Sequence, residues 1–249
     1  MLIATERKLD RSRILMLLDK LESMSGTALT IYLPDNSLKA DTEKALSNIP
    51  GIDQNVSIQI IEKVNKSTTG GVIFWSDTYK YLVLPPFPNK ERTVLHGYEV
   101  EILHSLFLQD LMIALILVRL GSYAIGVFQG EKLLSSKVGT GHIHQRHRKG
   151  GSSAHRFERH REKQIEVFFQ RVCVRVRERL EPHLPQLDYV YYGGERNTIN
   201  SFRSCCGFTQ SLNDRTVKNL LNVRDPRQAT LEAAINEVWS SKVVQWDIG

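Results

Sequence analysis

One long helical pattern limits what this chain can fold into. Residues recur on one face every three or four positions, in the series Ala154, Phe157, Arg161, Ile165, Phe168, Val172, Val176 and Leu180. This spacing matches the 3.6-residue turn of an α-helix. Pro182 cannot continue such a helix, because its nitrogen carries no hydrogen. The pattern therefore predicts one long helix that Pro182 ends.

Strand patterns lie before and after this helix. The apolar run from Leu111 to Val118 and the run from Tyr123 to Phe128 indicate adjacent antiparallel strands, and a Gln129-Gly130 turn leads to a third strand over Leu133 to Val138. A further strand, Tyr189 to Tyr192, follows the helix. We expect residues 111–249 to form an α/β domain that combines a mixed β-sheet with the long helix.

The first 110 residues predict a smaller α/β domain. Helical spacing covers residues 10–24 after a capping Asp10, and β-branched residues indicate a strand over Thr27 to Leu33. The runs Val72 to Trp75 and Tyr79 to Leu84 indicate a hairpin, and a helix is expected near residues 56–64. The predicted fold class is thus α/β, with the smaller domain before the larger one.

Composition argues against several classes of protein. The longest apolar run is far shorter than the roughly 20 residues that span a bilayer, so we expect no membrane segment. Charges near the N-terminus do not fit a signal peptide, which predicts a cytoplasmic protein. The three cysteines show no Cys-x-x-Cys spacing, so we expect no disulfide framework, no zinc site and no cofactor.

The positive charge of the chain is concentrated in one segment. The formal net charge is +6, and residues 142–163 hold seven Lys or Arg residues against two Glu residues, a net of +5. Five of the eight histidines also lie there, and His142, His144 and His147 are in a stretch without the carboxylate or thiolate partners that metal sites use. Clustered positive charge attracts RNA phosphates through counterion release. RNA contact is therefore the expected role, and a solvated helix face is the alternative.

A glycine pair, Gly150-Gly151, interrupts this basic segment just before the long helix. Glycine has no Cβ, so its backbone N–H groups are accessible, and here they lie near the positive end of a helix dipole. Arg148, Lys149 and Arg156 flank the pair and suit charge-assisted contacts with phosphate. We expect a mobile basic loop over residues 139–151 that approaches RNA closely.

The run from Lys149 to Arg159, KGGSSAHRFER, resembles the Gly-Gly-Gln-Ser-Ala-x-Arg-Phe-x-Arg signature of the class I translation release factors of eukaryotes and archaea. In that family the signature also follows a strand, a turn and a strand, and precedes a long helix. The resemblance covers residues 111–249, which implies a release-factor catalytic domain. It is fainter over residues 1–110, which resemble a degenerate form of the family's first domain.

Two motifs of the family are missing from residues 1–110, the Asn-Ile-Lys-Ser and Tyr-x-Cys-type motifs that read stop codons. Stop-codon decoding is therefore not expected. The domain with which the family docks a partner GTPase is not evident either. The remaining pattern is most similar to the ribosome quality-control relatives of the release factors, which cut stalled nascent chains from tRNA, and to their bacterial counterparts.

The resemblance implies a role for each residue of the signature. The expected partners are peptidyl-tRNA and the ribosome, at the peptidyl transferase centre of the large subunit, where Gly150 and Gly151 let the backbone approach the ester. The family's water-positioning glutamine is Ser152 here, so Ser152, Gln145 and His155 are the candidates for that task. The residues expected to contact RNA are Arg146, Arg148, Lys149, His155, Arg156 and Arg159.

These inferences predict a peptidyl-tRNA hydrolase that acts in ribosome rescue, and two alternatives stay open. A catalytically silent ribosome- or tRNA-binding factor would use the same loop only for docking, and it would not need the missing glutamine. A nuclease or general RNA-binding protein is the other alternative. Metal-dependent nucleases need clustered carboxylates, and the basic segment offers only Glu158 and Glu162.

Overall fold

A computed structural model describes residues 2–24, 26–144 and 154–248. In chain order its elements are β1 (Leu2–Leu9), α1 (Arg11–Glu22), β2 (Ala28–Leu33), α2 (Lys39–Leu46), α3 (Gln54–Lys66), β3 (Gly71–Ser76), β4 (Lys80–Leu84), β5 (Thr93–His96), α4 (Glu101–Leu108), β6 (Met112–Arg119), β7 (Ser122–Gln129), β8 (Lys132–Thr140), α5 (Ala154–Leu180), β9 (Tyr189–Gly193), α6 (Arg196–Cys205), α7 (Gln228–Val238) and β10 (Ser241–Ile248). Short 3-10 helices cover Glu181–Gln186 and Gly207–Arg215.

The chain divides into two compact units. The first unit is Met1–Gln109 with Asn236–Gly249, and the second is Asp110–Ile235. The sequence pattern predicted a boundary after residue 110, with all of residues 111–249 in the second domain. The structure differs at the C-terminal end because β10 pairs with β1 and with β4, so the last strand of the chain belongs to the first unit.

The first unit is an antiparallel sheet with helices packed on it. Its strand order is β1-β10-β4-β3-β2-β5, and apolar residues of β2, β3 and β10 share a core with α2 and α3. The indole rings of Trp75 and Trp246 lie 6.4 Å apart in that core. Asp10 caps α1 and Asp53 caps α3 by accepting backbone N–H groups. The predicted helices and hairpin are confirmed here, whereas β1, β5 and β10 were not predicted.

The second unit contains the mixed sheet and the long helix that the sequence predicted. The strand order is β8-β7-β6-β9, in which β6 is antiparallel to β7 and parallel to β9. Alternate residues of β6, including Ala114, Ile116 and Val118, join a core with α5 and α6. Residues of β6 from Met112 to Val118 are buried, which explains the continuous apolar run in the sequence.

The length of α5 does not make it a membrane helix. It has 27 residues, but many of them are charged. None of the helices in the described part of the chain is both long enough and apolar enough to cross a membrane.

Two of the three cysteines form a disulfide, contrary to the sequence expectation. Cys173 in α5 bonds to Cys206 at the end of α6, with an S–S distance of 2.02 Å, while Cys205 is free and exposed. The bonded residues are 33 positions apart. Spacing motifs cannot reveal such a pair, because the fold brings the two cysteines together only when α6 packs against α5.

Candidate RNA-contacting site

Most of the predicted site residues lie outside the described part of the chain. They are Gln145, Arg146, Arg148, Lys149, Gly150, Gly151 and Ser152, and the side chain of His155 is likewise outside it. We call residues 145–153 the glycine segment. The structure describes both of its flanks, namely residues 141–144 after β8 and the helix α5 from Ala154 onward. The geometry available for the candidate site is that of the two flanks.

The flank on the strand side is held by sheet pairing and by a close contact with α5. β8 pairs with β7 up to its last residue, and the Gly141 N–H donates to the Gly121 carbonyl oxygen at 2.9 Å. A Cβ on Gly141 would lie 2.6 Å from Cδ2 of Phe168, so only glycine fits at this distance from the helix. The prediction of a mobile loop over residues 139–151 is therefore wrong for residues 139–144.

Two side chains of α5 bind the backbone of His144, the last described residue before the glycine segment. The His144 N–H donates to Oε1 of Gln164 at 3.1 Å, and Nε of Arg161 donates to the His144 carbonyl oxygen at 3.0 Å. The imidazole rings form a row, with centroids 4.8 Å apart for His142 and His144 and 5.8 Å apart for His144 and His160. Hydrogen bonds from α5 thus hold the backbone of His144, the residue that precedes the glycine segment.

Two of the predicted RNA-contacting residues have described side chains. Arg156 and Arg159 are both exposed in the first two turns of α5. They are three positions apart on one helix, so their side chains are neighbours on its surface.

A groove of about 170 Å³ runs between the strand flank and α5. Its lining residues are Gly141, His142, His160, Lys163, Gln164, Val167, Phe168 and Arg171. We call it the α5 groove. Lys163 entered the sequence-based prediction only as part of the charge total, and Gln164 and Arg171 were not predicted as site residues. The signal that identifies them is the spacing of positions 160, 163, 164, 167 and 171, which share one face of the helix.

Among the described residues, no group of three or more His, Cys, Asp or Glu side chains is arranged to hold a metal ion. Burial raises the pKa of Tyr192 to about 12, although the Arg203 guanidinium acts in the opposite direction. Burial also raises the pKa of Tyr191. Both hydroxyls stay protonated at neutral pH, as expected for strand residues that face the core.

Several solved structures are similar to this chain at low sequence identity. The archaeal translation termination factor aRF1 is 17% identical, with a TM-score of 0.41 over 93% of this chain and 73% of that protein. The Vms1 mitochondrial localization core is 13% identical, with a TM-score of 0.39 over 95% of this chain and 93% of that one. For Archaeoglobus fulgidus Pelota the identity is 8% and the TM-score 0.29, over 94% and 63% of the two chains.

A comparison with curated proteins finds no match. A family model does match, and its description is the Actinobacteria/chloroflexi VLRF1 release factor. The match covers residues 112–244, which is more than half of the 249 residues. This range includes β6 to β9, both flanks of the glycine segment and the α5 groove. The chain therefore belongs to the VLRF1 release factor family of Actinobacteria and Chloroflexi.

Proposed function

We propose that the chain hydrolyses the ester of peptidyl-tRNA on stalled ribosomes and does not decode stop codons. Membership of a release-factor family implies interaction with the ribosome. The observation that supports ester hydrolysis is that Gly150-Gly151 lies within the region that matches the family, residues 112–244. The pair follows His144, which α5 side chains hold, and precedes the start of α5 at Ala154. In this proposal the second unit, Asp110–Ile235, corresponds to a release-factor catalytic domain, and the first unit to a degenerate first domain.

The reaction needs a positioned water and stabilisation of the charge that develops on the carbonyl oxygen. Water adds to the ester carbon, the bond to the 3′ oxygen of the terminal adenosine breaks, and a proton passes to that oxygen. Backbone N–H groups near Gly151 and Ser152 donate to the oxyanion in this proposal. A side chain of Gln145, Ser152 or His155 orients the water.

The basic residues around the glycine pair supply the RNA contacts in this proposal. Charge-assisted hydrogen bonds from guanidinium and ammonium groups to phosphate are among the stronger contacts in proteins. They position the backbone without reading its sequence. The residues assigned to this role are Arg146, Arg148, Lys149, His155, Arg156 and Arg159.

Ser152 favours a second candidate function. Release factors resembling this chain carry a glutamine at the corresponding position, and the chain has a serine there. A protein that has lost the water-positioning side chain would dock on the ribosome through the same segment without releasing peptide. Binding assays alone do not separate the two candidates, so the deciding measurement is peptide release.

The test uses ribosomes that carry a labelled peptidyl-tRNA and measures the rate of peptide release. Gly151→Ala should lower the rate by about 100- to 1000-fold while ribosome binding survives, because the new Cβ blocks close approach of the backbone to the ester. Gly207→Ala is the matched control, because a Cβ at Gly207 meets no atom within 4 Å. The control should release peptide at the wild-type rate.

A third variant, Ser152→Gln, separates the two candidate functions. It restores the family signature at position 152. If the wild-type protein releases no peptide but Ser152→Gln does, the protein is a docking factor. If neither protein releases peptide while both bind ribosomes, the hydrolase proposal fails.

A further inference from the structure

We propose that the α5 groove binds one phosphodiester group of the RNA whose end the glycine segment approaches. This inference rests on the proposed function for the identity of the RNA. It adds a phosphate site that lies next to the glycine segment and is formed by other residues. Three features of the groove carry the argument: its unpaired cations, its fixed walls and its freedom from carboxylates.

The first feature is a pair of cations without counterions. Among the residues that the structure describes, neither Lys163 nor Arg171 forms an ion pair or a hydrogen bond. Residues 145–153, outside that part, contain no acidic residue. By contrast, further along the same helix, Arg175 and Arg177 are each paired with a glutamate on α5 or just after it. Both unpaired cations line the groove, so an anion bound there would be met by two positive charges.

The second feature is that both walls of the groove are held before any ligand binds. Gly141 packs against Phe168, and the backbone of His144 is hydrogen-bonded to Gln164 and Arg161 of α5. His142 and His160 line the groove from its two walls. A site whose walls are already fixed loses less conformational entropy when it binds a ligand.

The third feature is the distribution of charge around α5. The groove residues recur at helical spacing on one face, whereas Glu158, Glu162 and Glu166 recur every four residues on another side of the helix. None of the residues that line the groove carries a carboxylate. A polyanion can therefore approach along the groove side of α5 without direct repulsion.

The position of the groove favours an RNA phosphate over other anions as its ligand. The groove lies between the strand flank that ends at His144 and the helix that begins at Ala154, which are the two ends of the glycine segment. A volume of about 170 Å³ suits a small group and not a folded partner. In the proposed function the RNA approaches the segment between these two flanks, so an RNA phosphate is the anion that the groove residues are expected to meet.

The test compares two double variants of α5 that each remove two positive charges. Lys163→Gln with Arg171→Gln removes the unpaired cations of the groove, and Arg175→Gln with Arg177→Gln is the matched control. The probes are a labelled RNA hairpin with an acceptor-stem sequence and a CCA end, and purified large ribosomal subunits. Affinity is measured at several salt concentrations. Lys163→Ala repeats the test at a single exposed position, and thermal melting checks that each variant is folded.

We expect the groove variant to bind at least one of the two RNA probes about 10-fold more weakly than the wild type. Its slope of log affinity against log salt should fall by about 0.7 to 0.9 for the lost phosphate contact. The control should stay near the wild type in both measures. Weaker binding to the hairpin assigns the phosphate to tRNA, and weaker binding to the subunits alone assigns it to ribosomal RNA. Equal binding by the groove and control variants, on both probes, overturns the inference.

The outcomes for the groove and for the hydrolase are distinguishable. If the wild type releases peptide and the groove variant binds both RNA probes normally, the groove inference is wrong and the hydrolase proposal stands. If the wild type releases no peptide but the groove variant loses RNA binding, the hydrolase proposal is wrong and the groove inference stands.

Discussion

The two halves of α5 have different surroundings, although they form one continuous helix. From position 156 to position 167, every side chain is exposed or half-buried. From position 168 to position 180, five apolar side chains are buried: Phe168, Phe169, Val172, Val176 and Leu180. We call these two parts the charged half and the anchored half.

The anchored half is also tied to α6. The disulfide of Cys173 joins it to α6, and the ring of Phe169 lies 5.8 Å from the ring of Phe202. The charged half instead holds the exposed Arg156 and four residues of the α5 groove, whose other two helix residues, Phe168 and Arg171, lie at the start of the anchored half. The buried packing of α5 is thus concentrated in one stretch of the helix, and most of the proposed RNA contacts lie in the other. Changes in the charged half should therefore cost little stability.

The largest effect should come from removing a ring in the anchored half. Phe169→Ala should lower the free energy of unfolding by about 3–5 kcal/mol, because it removes a fully buried aromatic side chain and leaves a cavity. Phe157→Ala in the charged half should lower it by less than about 1 kcal/mol, since the Phe157 ring is 52% exposed. Urea denaturation of both variants measures the difference. Similar values for the two would contradict the division of the helix.

The disulfide provides the next largest test. Cys173→Ala should lower the free energy of unfolding by about 2–4 kcal/mol, because it frees a loop of 33 residues in the unfolded chain. Cys205→Ala removes the neighbouring free thiol and should have little effect. Adding a reductant should lower the melting temperature of the wild type and of Cys205→Ala, but not that of Cys173→Ala. A wild-type melting temperature that does not respond to reductant would show that the disulfide contributes nothing.

Local patterns in the sequence predicted the elements whose signals are continuous along the chain. The helix α5 follows from its 3.6-residue period, and β6 follows from an apolar run that is buried on both faces. The strand β10 was missed because its partners, β1 and β4, lie far away in sequence. Its membership in the first unit depends on that non-local pairing. The Cys173–Cys206 bond was missed for the same reason.

The sequence could select candidate site residues only where the residue type itself, such as a positive charge, points to RNA contact. Charge selected Arg156 and Arg159, and both are exposed on α5; their contact with RNA stays a prediction. The residues that fix the strand flank, Gln164 and Arg161, carry no sequence motif. Their role follows from hydrogen bonds to a backbone that lies 17 to 20 positions earlier.

The smallest of these effects tests the contact that joins the strand flank to the anchored half. Gly141→Ala would place a Cβ 2.6 Å from Cδ2 of Phe168, so the chain must shift. Such overpacking should lower the free energy of unfolding by about 1–3 kcal/mol. In a Phe168→Ala background the same substitution should have a much smaller effect, because the atom that causes the clash is gone. A coupling of about 1 kcal/mol or more in this double-mutant cycle is expected for residues in direct contact. Strictly additive effects would mean that the strand flank is not braced against the anchored half, and that the wall of the α5 groove is held by sheet pairing and by the hydrogen bonds to His144.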